Sequence, residues 1–256
     1  MNILVCVKRV PATAGRIDLT PDGLEIDTRY LGFTVSPHEE CAVEEAVRQI
    51  EAHGGGGTVL TLGPDAAVEQ LRDALSIGID RAILLETDGG EWDPIATSSA
   101  IVEAIRADAA AGVDFDLLLF GNEAADTGDY QVGVRVANAL GLPCVTGVKA
   151  LDIEGGTAVA KRQTDGAWEI FEVSLPAVLT VKEGINLPRY PSVPGRMKAK
   201  KKEIDRRVPT RRDGGPEKVR LKLPVEAEGE VQILGNGADA APAAVELLKR
   251  LGVLSA

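Results

Sequence analysis

The residues from Gly121 to Gly133, GNEAADTGDYQVG, set flexible backbone and short polar side chains between an apolar run and an amphipathic one. Gly121, Gly128 and Gly133 permit close backbone approach or a positive φ, and Asn122, Asp126, Thr127 and Gln131 supply hydrogen-bonding side chains. This chemistry suits an anion such as a nucleotide phosphate, held by backbone amides. An ordinary strand-to-helix turn draws on the same residue types, so the loop alone leaves both readings open.

No competing reactive constellation stands out elsewhere. The chain has no GxGxxG opening a helix, no GxxxxGK[ST] and no SGGxDS-like pyrophosphate loop, and its only histidines are His38 and His53. No Ser/His/Asp or Cys/His set can be assembled, so no catalytic residue is assigned. Cys6, Cys41 and Cys144 are odd in number, widely spaced and free of any CxxC. They are expected to be small buried residues of a reducing compartment, not disulfides or metal ligands.

The elements that would position the loop alternate. Strands are expected at Asn2–Val7, Thr58–Leu62, Arg81–Leu85 and Phe115–Phe120, and helices at Glu39–Ala52, Asp65–Ile77, Pro94–Ala111 and Asp129–Leu140. Such alternation implies βαβ units and a parallel sheet, whose C-terminal edge carries the ligand crevice. The first helix opens on Ser36-x-x-Glu39, a capping box, and buries Val43, Ala46, Val47 and Ile50; the second buries Val68, Leu71 and Leu75. Gly54 to Gly57 is followed by no Lys-Ser/Thr pair and is expected to be a helix-to-strand turn. After Gly141 the pattern turns to hairpins: Thr157–Arg162 and Trp168–Val173 flank a Thr164-Asp-Gly turn, and Ala177–Val181 continues as a strand. From Asn186 to about Pro224 the chain is punctuated by proline and reads as an extended excursion, followed by an apolar stripe of Ala244, Leu247, Leu248 and Leu251 on a short helix. The expected organisation is a nucleotide-binding α/β domain over 1–185, a basic arm over 186–224 and a C-terminal segment over 225–256.

A formal net charge of −11 argues against a general nucleic-acid binder, yet eleven of the 28 Lys and Arg fall between Arg196 and Arg220. That local excess suggests a docking arm. Met1 runs straight into the first strand and no stretch reaches the ~18 apolar residues of a membrane span, so a soluble, cytoplasmic protein is expected, with no membrane insertion.

Three segments taken in order resemble the β subunit of electron-transfer flavoprotein: Gly121–Gly133, the tract AKRQTDGAWEIFEVSLPAVLTV from Ala160 to Val181, and NLPRYPSVPGRMKAKKKEID from Asn186 to Asp205. The opening VCVKRVP and the helix start from Pro37 to Val47 resemble that family too. The resemblance implies a Rossmann-like fold of the adenine-nucleotide alpha-hydrolase type, with a β-hairpin addition and an extended C-terminal arm. It also implies a heterodimer with an α subunit, which holds most of the shared redox-active FAD. This chain would carry a buried AMP, receive electrons from acyl-CoA-type or other flavin dehydrogenases and pass them to a quinone reductase, with no substrate chemistry of its own. The C-terminal helix would pack on the partner subunit.

Carried over residue by residue, the family's nucleotide contacts fall on Cys6, on Ser36, Pro37, His38 and Glu39, on Leu62, and on the run Gly121, Asn122, Glu123, Ala124, Ala125, Asp126, Thr127, Gly128, Asp129, Tyr130, Gln131 and Val132. Leu62 and Ala124 would face adenine, amides near Asp126 to Gln131 would hold the phosphate, and Asn122 or Gln131 would serve polar ring or ribose groups. The loop departs from the family's usual AMP form: Gln131-Val-Gly resembles the branch that holds a second FAD, accepts hydride from NADH and bifurcates electrons. That branch has Thr at the position of Asp129. His38 stands where many relatives place an aromatic residue near the flavin. Val193 takes the position of the partner-anchoring side chain, flanked by Arg196, Lys198, Lys200, Lys201 and Lys202, which would speed encounter with an acidic dehydrogenase surface. A different class of protein, a free-standing nucleotide sensor of the universal-stress type, shares the sheet and the adenine-binding edge.

Overall fold

In the computed structural model, residues 1–12, 17–224 and 231–254 are described. The chain forms two compact units, Met1–Arg220 and Leu221–Ala256. In chain order the first unit holds β1 (Asn2–Cys6), β2 (Val10–Pro11), β3 (Phe33–Thr34), α1 (Pro37–His53), β4 (Gly56–Gly63), α2 (Val68–Ile77), β5 (Arg81–Glu86), α3 (Pro94–Ala110), β6 (Leu117–Gly121) and α4 (Val132–Leu140). It continues with β7 (Cys144–Glu154), β8 (Thr157–Thr164), β9 (Ala167–Ser174), β10 (Ala177–Val181), α5 (Val193–Lys201) and β11 (Asp205–Arg207). The second unit carries α6 (Ala241–Arg250), preceded by a 3-10 turn. Residues 225–230 and 255–256 of the expected C-terminal segment lie outside the described residues.

A nine-stranded sheet runs in the order β11-β5-β4-β1-β6-β10-β7-β8-β9. From β11 to β7 every neighbouring pair is parallel, and β7, β8 and β9 pair antiparallel. The α/β class expected from the alternation is therefore the observed one, with the hairpin extending one edge of the sheet. Period-2 alternation divides the core in two. Ile3, Val5, Val59, Leu117, Leu119 and Leu179 face α1 and α2, whereas Leu4, Cys6, Leu60, Leu118, Phe120 and Val178 face α3 and α4.

From β1 the chain winds outward through β4 and β5, then crosses back to place β6 on the other side of β1. That reversal is a topological switch point, and it puts the crevice outside the C-terminal ends of β1 and β6.

Three expectations are corrected. The helix after the Gly121 loop begins at Val132 rather than Asp129, because Tyr130 takes φ 57°, a left-handed conformation that a right-handed helix cannot include. The strand before that loop is Leu117–Gly121 and not Phe115–Phe120. The basic segment after Asn186 is not simply extended: it contains α5 and β11. Ser192 caps α5, accepting from the Gly195 amide, and Pro194 occupies its first turn, where a missing N–H costs nothing. β11 consists of charged residues and joins the sheet through ion pairs as well as its ladder. Arg81 and Arg207 both bind the buried Asp108, and Arg206 reaches Asp65 and Glu86.

Candidate nucleotide site

The cradle is assembled from three places far apart in sequence. β1 delivers Cys6 to the sheet's C-terminal edge, α1 starts beside it, and the loop after β6 folds back over that start. The capping box anchors α1: Ser36 Oγ accepts the Glu39 amide at 3.3 Å, and Glu39 Oε2 accepts the Ser36 amide at 3.0 Å. The other carboxylate oxygen of Glu39 accepts the Lys8 amide at 3.0 Å, so one side chain ties the strand end to the helix start. Burial pushes the Glu39 carboxyl up to about 8, against those amides and the Lys8 charge, which favour its ionised form. Burial, with Glu39 nearby, also drives the Cys6 thiol far above its ordinary range, so Cys6 packs and does not ionise.

Glu123 is the hub of the loop's attachment. Its carbonyl accepts from Ser36 Oγ at 3.1 Å, and its carboxylate meets His38 Nε2 at 3.1 Å. The Tyr130 phenol also binds that carboxylate, which holds the phenol above its ordinary pKa. A further latch joins Lys8 Nζ to Asp126 at 2.7 Å. Within the loop, Thr127 donates its amide to Asp126 Oδ1 at 2.8 Å and Gly128, at φ 58°, donates to the Ala124 carbonyl at 3.0 Å. Asn122 is fixed by its amide on the Val181 carbonyl and by Thr180 Oγ1 on its Oδ1.

Gly121 is required at its position by contact. A Cβ there would stand 2.6 Å from Glu39 Cγ, so only glycine lets the loop's first residue pass α1.

Among the predicted contacts, Cys6, Ser36 to Glu39 and Gly121 to Val132 therefore converge. Leu62 joins them through packing: it and Val132 lie against the same apolar cluster as Cys6 and Phe120. Asn122, Glu123, Ala124, Asp126, Gly128 and Gln131 are half-buried, whereas Ala125, Thr127, Asp129 and Tyr130 are exposed.

The first turn of α4 is the most receptive part of this site. Ser36, Asp93 and Ser192 cap α1, α3 and α5 with side-chain oxygens, and α2 continues from a 3-10 turn. At α4 the N-cap is Gln131, whose side chain caps nothing and instead accepts from the Arg135 guanidinium. Its opening amides thus have no side-chain cap, and its first turn has no acidic residue. Beside it lies a cavity of about 380 Å³ lined by Asn122, Tyr130, Val134, Thr146, Gly147, Arg162 and Thr180. A larger groove of about 830 Å³ is lined mainly by the surfaces of α3 and α4 rather than by strand ends. These features fit an adenine mononucleotide: amides for a phosphate, apolar Leu62 and Ala124 for a base, and amide side chains for polar edges.

Sequence reasoning missed Lys8, Thr180 and Arg162. Lys8 was accessible to it, since it lies two residues beyond the end of β1 at the edge already identified. Thr180 and Arg162 arrive through strand pairing, which no local pattern announces.

The expected docking residues lie apart from this site. Val193, Arg196, Lys198, Lys200 and Lys201 are exposed on α5, Val193 at 73% with Met197 beside it at 60%. Lys202 differs, because its Nζ donates to the Ile79 carbonyl at 2.7 Å. α5 is seated on α2: Arg72 binds the Ala199 carbonyl, and a Cβ on Gly195 would collide with the Ser76 carbonyl. The segment leading to it is strapped to α1 by Asn186 on Cys41 O and Glu45, and by Arg189 on Glu44 and Glu51.

Comparison with known proteins agrees with the α/β fold. Residues 23–211 match the family model described as electron transfer flavoprotein domain. The electron transfer flavoprotein subunit beta of Bacillus subtilis is 35% identical, covering 97% of this chain and 98% of its own. The proteins of the same name from Syntrophomonas wolfei and Megasphaera elsdenii are 39% and 34% identical, each over 80% of this chain and 78% and 77% of their own. These matches set aside the universal-stress-type alternative, and this chain is a member of the electron transfer flavoprotein β-subunit family.

Proposed function

We propose that this chain is the nucleotide-holding half of a two-subunit electron carrier. It pairs with an electron transfer flavoprotein α subunit that holds most of a shared FAD, and it binds AMP as a structural nucleotide. Acyl-CoA-type or other flavin dehydrogenases dock on it, and electrons pass through that FAD to a quinone reductase. The FAD, when bound, supplies all of the redox chemistry. This chain's residues bind, orient and exclude water.

The observation that supports the nucleotide reading is the meeting, at the switch point, of the β1 end, the α1 start and the Gly121 loop, which leads into an α4 without a side-chain cap. The phosphate would rest on amides near Asp126 to Gln131, with adenine against Leu62 and Ala124. The exposed α5 face, with Val193 beside Arg196, Lys198, Lys200 and Lys201, supports the docking assignment. The apolar stripe of α6 would pack on the α subunit. No helix among the described residues is long and apolar enough to cross a membrane.

A second reading replaces AMP with a second FAD that takes hydride from NADH. Two observations support it: the loop ends in Gln131-Val-Gly, which resembles that branch, and Asp129 is exposed, which eases its conflict with a diphosphate. Denaturing the co-purified α/β complex and quantifying the released nucleotides tests both. One FAD and one AMP per heterodimer is the expected result. Two FAD would favour the second reading, and one FAD with no other adenine nucleotide would overturn both.

A further inference from the structure

Lys8 stands where β1, α1 and the cradle loop meet. Its amide is held by Glu39 at 3.0 Å, which fixes the backbone, while its ammonium reaches Asp126 Oδ2 at 2.7 Å and Oδ1 at 2.8 Å. The same Asp126 carboxylate accepts the Thr127 amide at 2.8 Å. Asp126 therefore collects from this site a lysine ammonium and a loop amide, the two kinds of donor that hold a phosphate. Lys8 is 40% exposed along its side chain, so an incoming anion can reach it.

We propose that the Asp126 carboxylate stands in for the nucleotide's phosphate, and that Lys8 is the phosphate-binding cation handed over when the nucleotide enters. This rests on the nucleotide reading above and adds to it a residue that reading does not contain. Electrostatics favours the exchange. A phosphate monoester carries nearly two negative charges at neutral pH and a carboxylate carries one, so the phosphate competes successfully for the same ammonium. Without that cation, a phosphate would enter a crevice already holding Glu123 and Asp126, while the Arg162 guanidinium of the adjoining cavity is engaged by Glu169. Glu39, on the other side of Lys8, adds little to that repulsion near neutrality, because burial keeps its carboxyl largely protonated.

The exchange predicts effects of opposite sign from two partners of one ion pair. The test uses the α/β heterodimer and measures the rate at which bound AMP exchanges with labelled AMP. Lys8→Gln is expected to speed exchange about tenfold or more, as loss of a charge-assisted bond to phosphate would. Lys8→Arg should restore most of the retention. Asp126→Asn is expected to slow exchange severalfold, because the internal competitor is weakened while the cation stays. A merely structural latch would make Lys8→Gln and Asp126→Asn both release AMP faster, and that outcome, or no change in either, overturns the inference. A wild-type heterodimer that holds no AMP overturns the nucleotide reading itself, a result distinct from retained AMP with the wrong signs.

Discussion

The His38 imidazole and the Glu123 carboxylate meet at 3.1 Å, joining the start of α1 to the cradle loop across 85 positions of sequence. The ring's other nitrogen, Nδ1, accepts the Glu183 amide at 2.7 Å. An amide can only donate, so Nδ1 is unprotonated in this arrangement and Nε2 carries the hydrogen given to Glu123. One side chain thus links the loop, the helix and the segment that leads to α5. His38→Phe keeps an aromatic ring of similar size but leaves Glu183 N–H and the Glu123 carboxylate without this partner. It should lower unfolding free energy by about 1–2 kcal/mol. Hydrogen exchange should quicken at residues 122–131 and 183–186 together. Quickening in only one of the two segments would show that His38 does not couple them.

Glu39 should give stability a pH dependence opposite to that of most carboxylates. Its pKa is raised from 4.5 to about 8 by burial, so between those values the folded chain keeps a proton that the unfolded chain has released. Its contribution is complete below the unfolded value and is lost as pH rises through the folded one. The slope reaches at most about 1.4 kcal/mol per pH unit. Denaturant unfolding of the wild type and Glu39→Gln between pH 5 and pH 8 checks this. The variant should lose stability less steeply as pH rises, since an amide does not titrate. Parallel curves would contradict the assignment.

Much of this site is legible without coordinates. Alternating strand and helix signals place Cys6, Leu62 and Gly121 at strand ends, and the Ser36-to-Glu39 spacing yields the capping box that forms. What escapes is whatever depends on distant partners or on backbone exceptions. Tyr130 is an unexceptional helix residue by propensity, yet its left-handed φ delays α4 until Val132. Pro194, coming so soon after Pro191, suggests extension, but after a capping Ser192 it opens a helix. β11 has no apolar alternation because its strand is secured by Asp108 and Glu86 on neighbouring elements. The Lys8–Asp126 pair spans 118 positions, beyond the reach of any local rule.

Gly121 should tolerate no side chain. A Cβ would lie 2.6 Å from Glu39 Cγ and 3.2 Å from the Glu39 amide nitrogen, so both the capping box and the loop must yield. Gly121→Ala is expected to cost about 1–3 kcal/mol, the range for overpacking a filled site, and Gly121→Val more. The clash should be partly relieved in Gly121→Ala/Glu39→Ala, where Cγ of residue 39 is removed, so the double variant should lose less than the sum of the two single losses. Thermal unfolding of the two single variants and the double variant reads this coupling directly. Strict additivity would place the strain elsewhere.

The exposed face of α5 and the half-buried Lys202 should separate in experiment although they adjoin in sequence. Val193 and Met197 project outward, so Val193→Asp should leave unfolding free energy within about 0.5 kcal/mol of wild type. In the α/β complex it should slow electron transfer from a cognate dehydrogenase about tenfold or more without changing flavin content, because an anchor buried at an interface loses its apolar contact and gains a desolvated charge. Neutralising Lys198, Lys200 and Lys201 should act mainly on the association rate and flatten its dependence on ionic strength. Lys202→Gln should do the reverse: it gives up the bond to the Ile79 carbonyl and loosens the end of α5, lowering stability by about 1 kcal/mol. Equal transfer rates in wild type and Val193→Asp would remove α5 from the docking surface, whatever the lysines do.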